Sequence, residues 1–154
     1  RYTYPVQELT VAEIHDLHRA YAEAARRALA AGFEWLEMHF AHGYLGASFF
    51  SPIANRRTDG YGGSLENRLR FHREALDAVR AAWPERLPLT MRLGSDDFNE
   101  DGVRFDDAVW AVGELKAHGL DLADLSLGMN TDQVTDLPFN EAGFMVERAA
   151  RVRR

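Results

Sequence analysis

A chain of 154 residues is about one average domain, long enough to bury a core, and 46% hydrophobic with 27% charged residues is an ordinary globular composition. The net charge of −6 leaves no basic field to attract nucleic acid or an anionic membrane, and no apolar run approaches the roughly 20 residues that span a bilayer. The absence of cysteine excludes a disulfide scaffold and thiolate metal sites, and it fits a reducing, cytoplasmic setting.

Thr10-Val-Ala-Glu13 has the spacing of a capping box, in which hydroxyl and carboxylate satisfy the free backbone donors at a helix start. Ile14, Leu17, His18, Tyr21, Ala25 and Ala28 then recur at helical spacing, and Gly32 ends the helix. Phe33 to Met38 has the bulk and length of a buried strand, and it runs into His39-Phe-Ala-His42-Gly-Tyr44. Residues 43 to 63, rich in Gly, Asn, Ser and Pro, read as one long loop, a feature that is usually functional inside a compact domain.

Ser64 is placed to cap a second helix reaching about Trp83, with Leu65, Leu69, His72, Leu76 and Val79 along one side. Pro84 and Pro88 bracket a turn, and Leu89 to Leu93 form a second short strand ending at Gly94. Asp106 can cap a third helix carrying Val109, Val112 and Leu115 and closed by Gly119. Leu120 to Leu127 read as a third strand ending at Gly128. A loop containing Pro and Asn leads to a final helix near Glu141 to Arg153.

An internal echo organises these elements. Gly32-Phe-Glu-Trp-Leu-Glu-Met-His39 and Gly119-Leu-Asp-Leu-Ala-Asp-Leu-Ser126 share one order of glycine, apolar and acidic positions. A repeated helix–glycine–strand unit implies parallel strands, and right-handed crossovers put all their C-terminal ends on one side. His39, Arg92 and Ser126 are therefore predicted to face a shared rim. Three strands cannot close an eight-stranded barrel, and left open they expose two unprotected edges. The predicted fold is α/β, a section of a TIM (β/α)8 barrel with about three parallel strands and four helices, incomplete at both ends of residues 1–154.

Polar groups clustered at a strand's C-terminal end are where such barrels keep their chemistry, which makes His39, His42 and Tyr44 the leading candidates. A single His is usually a satisfied structural residue, but three donors within six positions favour function. His-x-x-His also suits zinc, yet a third ligand is required and none is evident, so no metal is expected. Arg92 can serve a ligand or simply neutralise Glu37, and Ser126 can be a strand-terminal cap.

The run His39-Phe-Ala-His42-Gly-Tyr44-Leu resembles the old yellow enzyme family of FMN-dependent ene-reductases, nearest to its bacterial xenobiotic-reductase branch. The likeness continues through Phe49-Phe-Ser-Pro52, Asn55-Arg-Arg-Thr-Asp59, Tyr61-Gly-Gly-Ser64, Glu66-Asn-Arg68, Leu89-Thr-Met-Arg-Leu93 and Asp121 to Gly128. It implies that His39 and His42 bind the carbonyl or nitro oxygen of an electron-poor alkene, where two placed donors stabilise developing charge. It implies that Tyr44 donates a proton to the α-carbon and that Arg92 lies beside the pyrimidine of FMN, stabilising its reduced form. NADH or NADPH would be the hydride donor and a small activated alkene the substrate. The family grips the FMN phosphate with loops after the last two barrel strands, and Gly60-Tyr-Gly-Gly63 lacks the context of a substitute P-loop. The competing expectation is a barrel fragment without turnover that folds or associates only with its complement or, as a homo-oligomer, with another copy.

Overall fold

The computed structural model describes residues 7–130 and 141–153, so the predicted Pro- and Asn-containing connection lies outside the described residues. Thr10 starts helix α1 (Val11–Ala30) as its spacing requires. Its hydroxyl accepts from the Glu13 amide at 3.2 Å, and the Glu13 carboxylate accepts from the Thr10 amide at 2.7 Å. Gly32, at φ +87°, supplies the left-handed residue just past the helix end. The chain then forms β1 (Leu36–Phe40), α2 (Leu45–Phe50), α3 (Leu65–Arg80), β2 (Leu89–Gly94), α4 (Phe105–Ala117), β3 (Leu122–Ser126) and α5 (Phe144–Val152).

The strands make one parallel sheet in the order β1-β2-β3. Because side chains alternate, one face carries Met38, Phe40, Met91 and Leu93, all buried. These pack with Leu69, Leu76 and Val79 of α3 and with Ala108 and Leu115 of α4 in a single core. The register sets His39 beside Arg92 and Arg92 beside Asp124, with Ser126 one pleat further along beside Gly94. These residues share the opposite face, where His39 is exposed and Arg92 and Asp124 are partly so. The helices shield one side of the sheet and leave a polar face open on the other.

Three sequence expectations need correction. The 43–63 segment is not all loop: α2 lies within it, giving five helices among the described residues rather than four. A six-residue stretch containing Gly46 has little helical propensity of its own, and burial makes the helix. Phe49 stacks on Phe71 with ring centroids 4.1 Å apart, and Gly46 lies so close to Phe40 that a Cβ there would overlap its ring. The first strand begins at Leu36 rather than Phe33, and Phe33 and Trp35 are 61% and 58% exposed. Finally, α4 is capped at Arg104, whose amide donates to the Asp107 carboxylate at 3.2 Å, while Asp106 sits in the first turn and pairs with Arg151.

Candidate active site

β1 delivers His39 to the open face, and the turn behind it brings two further rings against it. The His39 and His42 centroids are 5.0 Å apart at 63°, and those of His39 and Tyr44 are 5.5 Å apart at 58°. Tyr44 occupies the N-cap position of α2 and is 64% exposed, so its phenol is open to a ligand. The hexapeptide thus forms one contiguous donor set rather than a string of unrelated side chains.

His42 is held from β3. Its backbone takes a left-handed φ of +60°, uncommon for a residue with a Cβ. Its amide donates to the Leu127 carbonyl at 3.1 Å, and its ring Nε2 lies 2.6 Å from Ser126 Oγ. Burial holds the imidazole below its usual pKa, the nearby Arg92 and His39 act in the same direction, and Asp124 opposes them. His42 is therefore a neutral imidazole near pH 7, with one N–H to donate and one lone pair to accept.

The predicted rim forms, but with a different geometry. His39 and Arg92 stand abreast, whereas the equal offset of His39 and Ser126 in the repeat does not place them side by side; Ser126 meets His42 instead. Arg92 pairs with Asp124, not with Glu37: its Nε lies 3.1 Å from Asp124 Oδ2, while Glu37 accepts from the Thr90 hydroxyl at 3.2 Å. The Arg92 contact is a charge pair and not an aligned hydrogen bond, since among the described residues Nε has no hydrogen-bond acceptor despite that distance. Asp124 escaped the sequence reading although the repeat contained the signal, for it occupies the same repeat position as Glu37.

Asp97, only 1% exposed, ties the loops behind this rim together. It accepts from Ser51 Oγ at 2.6 Å, from the Val103 amide at 3.0 Å and from Asn130 Nδ2 at 2.9 Å, joining the loops that follow all three strands. Gly128 admits the carboxylate, since a Cβ there would overlap it. The Asn55 to Asp59 motif stabilises its own loop: Asn55 Nδ2 donates to the Phe49 and Tyr61 carbonyls, both at 2.7 Å, and Arg57 pairs with Asp59. A groove of about 720 Å³ lined by α4, α5 and β3 reaches the open face at Glu37 and Asp124, but it does not include the His39–His42–Tyr44 set.

The family model described as NADH:flavin oxidoreductase / NADH oxidase family matches residues 1–141. The chain belongs to that family. An NADPH dehydrogenase of Geobacillus thermodenitrificans is 42% identical over 148 residues, covering 96% of this chain and 42% of the relative. Among solved structures, a 2-naphthoyl-CoA reductase complex superposes with a TM-score of 0.88 at 32% identity, covering 97% of this chain and 23% of that one. An old yellow enzyme homologue from Zymomonas mobilis gives a TM-score of 0.70 at 29% identity, over 78% of this chain and 34% of that one. The chain thus spans less than half the length of these relatives, and its fold is a section of their α/β barrel.

The family's cofactor is FMN, with NADH or NADPH as hydride donor. The residues on the open face fit such a group. The terminal nitrogens of Arg92 make no hydrogen bond among the described residues, and the side chain is 39% exposed. A guanidinium that pairs with Asp124 through Nε and keeps its terminal nitrogens for a ligand on an open polar face suits the carbonyl- and nitrogen-rich edge of a flavin.

Proposed function

We propose that residues 1–154 form the substrate-facing part of an FMN-dependent NAD(P)H oxidoreductase domain that reduces activated C=C bonds, as in enones and nitro-compounds. The observation that carries this reading is the convergence of His39, His42 and Tyr44 beside the Arg92 row. Bound FMN supplies the hydride after reduction by NADH or NADPH. When hydride reaches the β-carbon, the electron pair of the C=C bond moves toward the carbonyl or nitro group, and negative charge gathers on its oxygen.

Two N–H donors fixed in advance at that oxygen, from His39 and His42, stabilise the charge without reorganising at the moment of reaction. The neutral state of His42 suits this role, because it donates while keeping its proton. Tyr44 then protonates the α-carbon and completes the addition of hydride and proton across the double bond. Arg92 holds the flavin edge from the neighbouring strand.

The test uses the complete polypeptide. Replacing His39 and His42 together with Ala should lower enone reduction by about 10²- to 10³-fold, the scale of a lost oxyanion donor, with flavin content preserved. Tyr44→Phe should slow the step in which the substrate is oxidising the flavin and spare reduction of the flavin by NADPH. An unchanged enone rate in the double variant overturns the assignment.

The alternative, that these residues act only when joined to their complement, is favoured by the open face, where Trp35 and Leu122 are 58% and 47% exposed. An absorbance spectrum of the purified 154-residue chain separates the two cases. Stoichiometric flavin refutes the fragment reading, and its absence together with self-association supports it.

A further inference from the structure

We propose that Ser126 is a positioning residue that locks His42 in one tautomer, so that its Nδ1–H is the donor presented to the substrate oxygen. The inference deepens the proposed function and rests on its assignment of His42 to that oxygen.

A neutral imidazole has one donor and one acceptor nitrogen, and only the donor can stabilise an oxyanion. His42 Nε2 is already engaged, at 2.6 Å from Ser126 Oγ, whereas Nδ1 has no partner among the described residues. If Nε2 carried the proton, Nδ1 would present a lone pair to the substrate oxygen and repel it. The serine decides between these states. Among the described residues its hydroxyl makes no hydrogen bond other than that to His42, although its carbonyl accepts from the Ser95 amide and hydroxyl, both at 2.8 Å.

A part-buried hydroxyl proton needs an acceptor, and among the described residues His42 Nε2 is the one it has at hydrogen-bond distance. Ser126 therefore donates to Nε2, and the ring proton resides on Nδ1. This is the opposite of the tautomer that a free neutral imidazole favours. The backbone prepares the same arrangement: the Leu127 carbonyl takes the His42 amide at 3.1 Å, so the last residue of β3 and the one after it grip His42 in the turn that follows β1. His42 makes both contacts from a left-handed φ of +60°.

The consequence is that the second oxygen donor is set by a strand it does not belong to. Its orientation depends on the alignment of β3 with β1 across the end of β2, where Gly94 leaves room: a Cβ at Gly94 would come within 2.8 Å of Gly128 Cα.

The test is two-part. Long-range proton–nitrogen correlation spectra of the protein labelled with ¹⁵N-histidine report which ring nitrogen of His42 is protonated. The native protein should show the Nδ1–H form at pH 7.5, Ser126→Ala should revert to a predominantly Nε2–H ring, and Ser126→Thr, which keeps a hydroxyl, should restore Nδ1–H. A native Nε2–H ring, or a spectrum unchanged by Ser126→Ala, overturns the proposal.

In the complete flavin-loaded polypeptide, Ser126→Ala should lower kcat/KM for an enone about tenfold, the scale of one hydrogen bond, and Ser126→Thr should recover most of it. Flavin reduction by NADPH should stay unchanged. A tautomer switch in a protein that reduces no enone would refute the proposed function while leaving the positioning role standing.

Discussion

His72 lies under the candidate site, on the far side of β1 from His39, and it offers a sharp test of the core. It is fully buried, and neither ring nitrogen has a hydrogen-bond partner among the described residues. Its ring meets Phe40 edge-on at 4.8 Å and Phe50 at 5.6 Å. Burial pushes its pKa down to about 3 from an ordinary 6.5. Below pH 6.5 the unfolded chain therefore takes up a proton that the folded chain refuses, and stability falls as pH drops from 6.5 toward 3.

Between pH 6.5 and 4.5 this linkage amounts to about 2 kcal/mol from His72 alone. His72→Leu keeps an apolar side chain of similar volume and abolishes the titration. Urea unfolding of both proteins at the two pH values should show the native protein losing about 2 kcal/mol more than the variant on acidification. Other titrating groups are common to both and cancel. Equal losses, within about 0.5 kcal/mol, would show that the ring is solvated or paired and would refute the reasoning.

Other outcomes follow from the same geometry. Gly46→Ala should destabilise the protein by about 1–3 kcal/mol in urea unfolding, because the new Cβ overlaps the Phe40 ring where α2 crosses β1. Thr10→Ala should cost about 1 kcal/mol by removing one arm of the α1 capping box, and Ser, which keeps the hydroxyl, should recover most of it. α5 buries none of its residues fully and is held by Arg148, which pairs with Asp96 at 2.7 Å and lies over the Phe98 and Phe105 rings. Arg148→Ala should therefore speed amide exchange across 144–152 and leave β1 and β2 protected; unchanged exchange would mean that other contacts hold the helix. An NMR titration of His42 should give a midpoint below 6.5, and Asp124→Asn, which removes the one opposing charge, should lower it further.

Much of this architecture was legible because it depends on local chemistry. The Thr10–Glu13 cap, the Ser64 start of α3 with its hydroxyl accepting from the Asn67 amide, and the glycine stops at Gly32 and Gly119 are set within a few residues. The parallel strands were legible because the repeated unit occurs twice in the chain. Helix α2 was not, because its stability comes from Phe49 stacking on a ring 22 positions away and not from its own propensity. The start of β1 was misplaced because Phe33 and Trp35 look like core residues by type, and only the sheet register shows them exposed.

The sequence by itself determined which chemical groups this protein brings to its rim: two imidazoles and a phenol in one short run at a strand end, with an arginine at the end of the next strand. Covalent connectivity places those groups within a few residues whatever the rest of the chain does. The tertiary structure decided how they are paired. Sheet register gave Arg92 to Asp124 instead of Glu37, and the meeting of the β1 and β3 ends gave His42 to Ser126, 84 positions along the chain. Those pairings set charge and tautomer, and they arise from non-local packing that no short run of residues encodes.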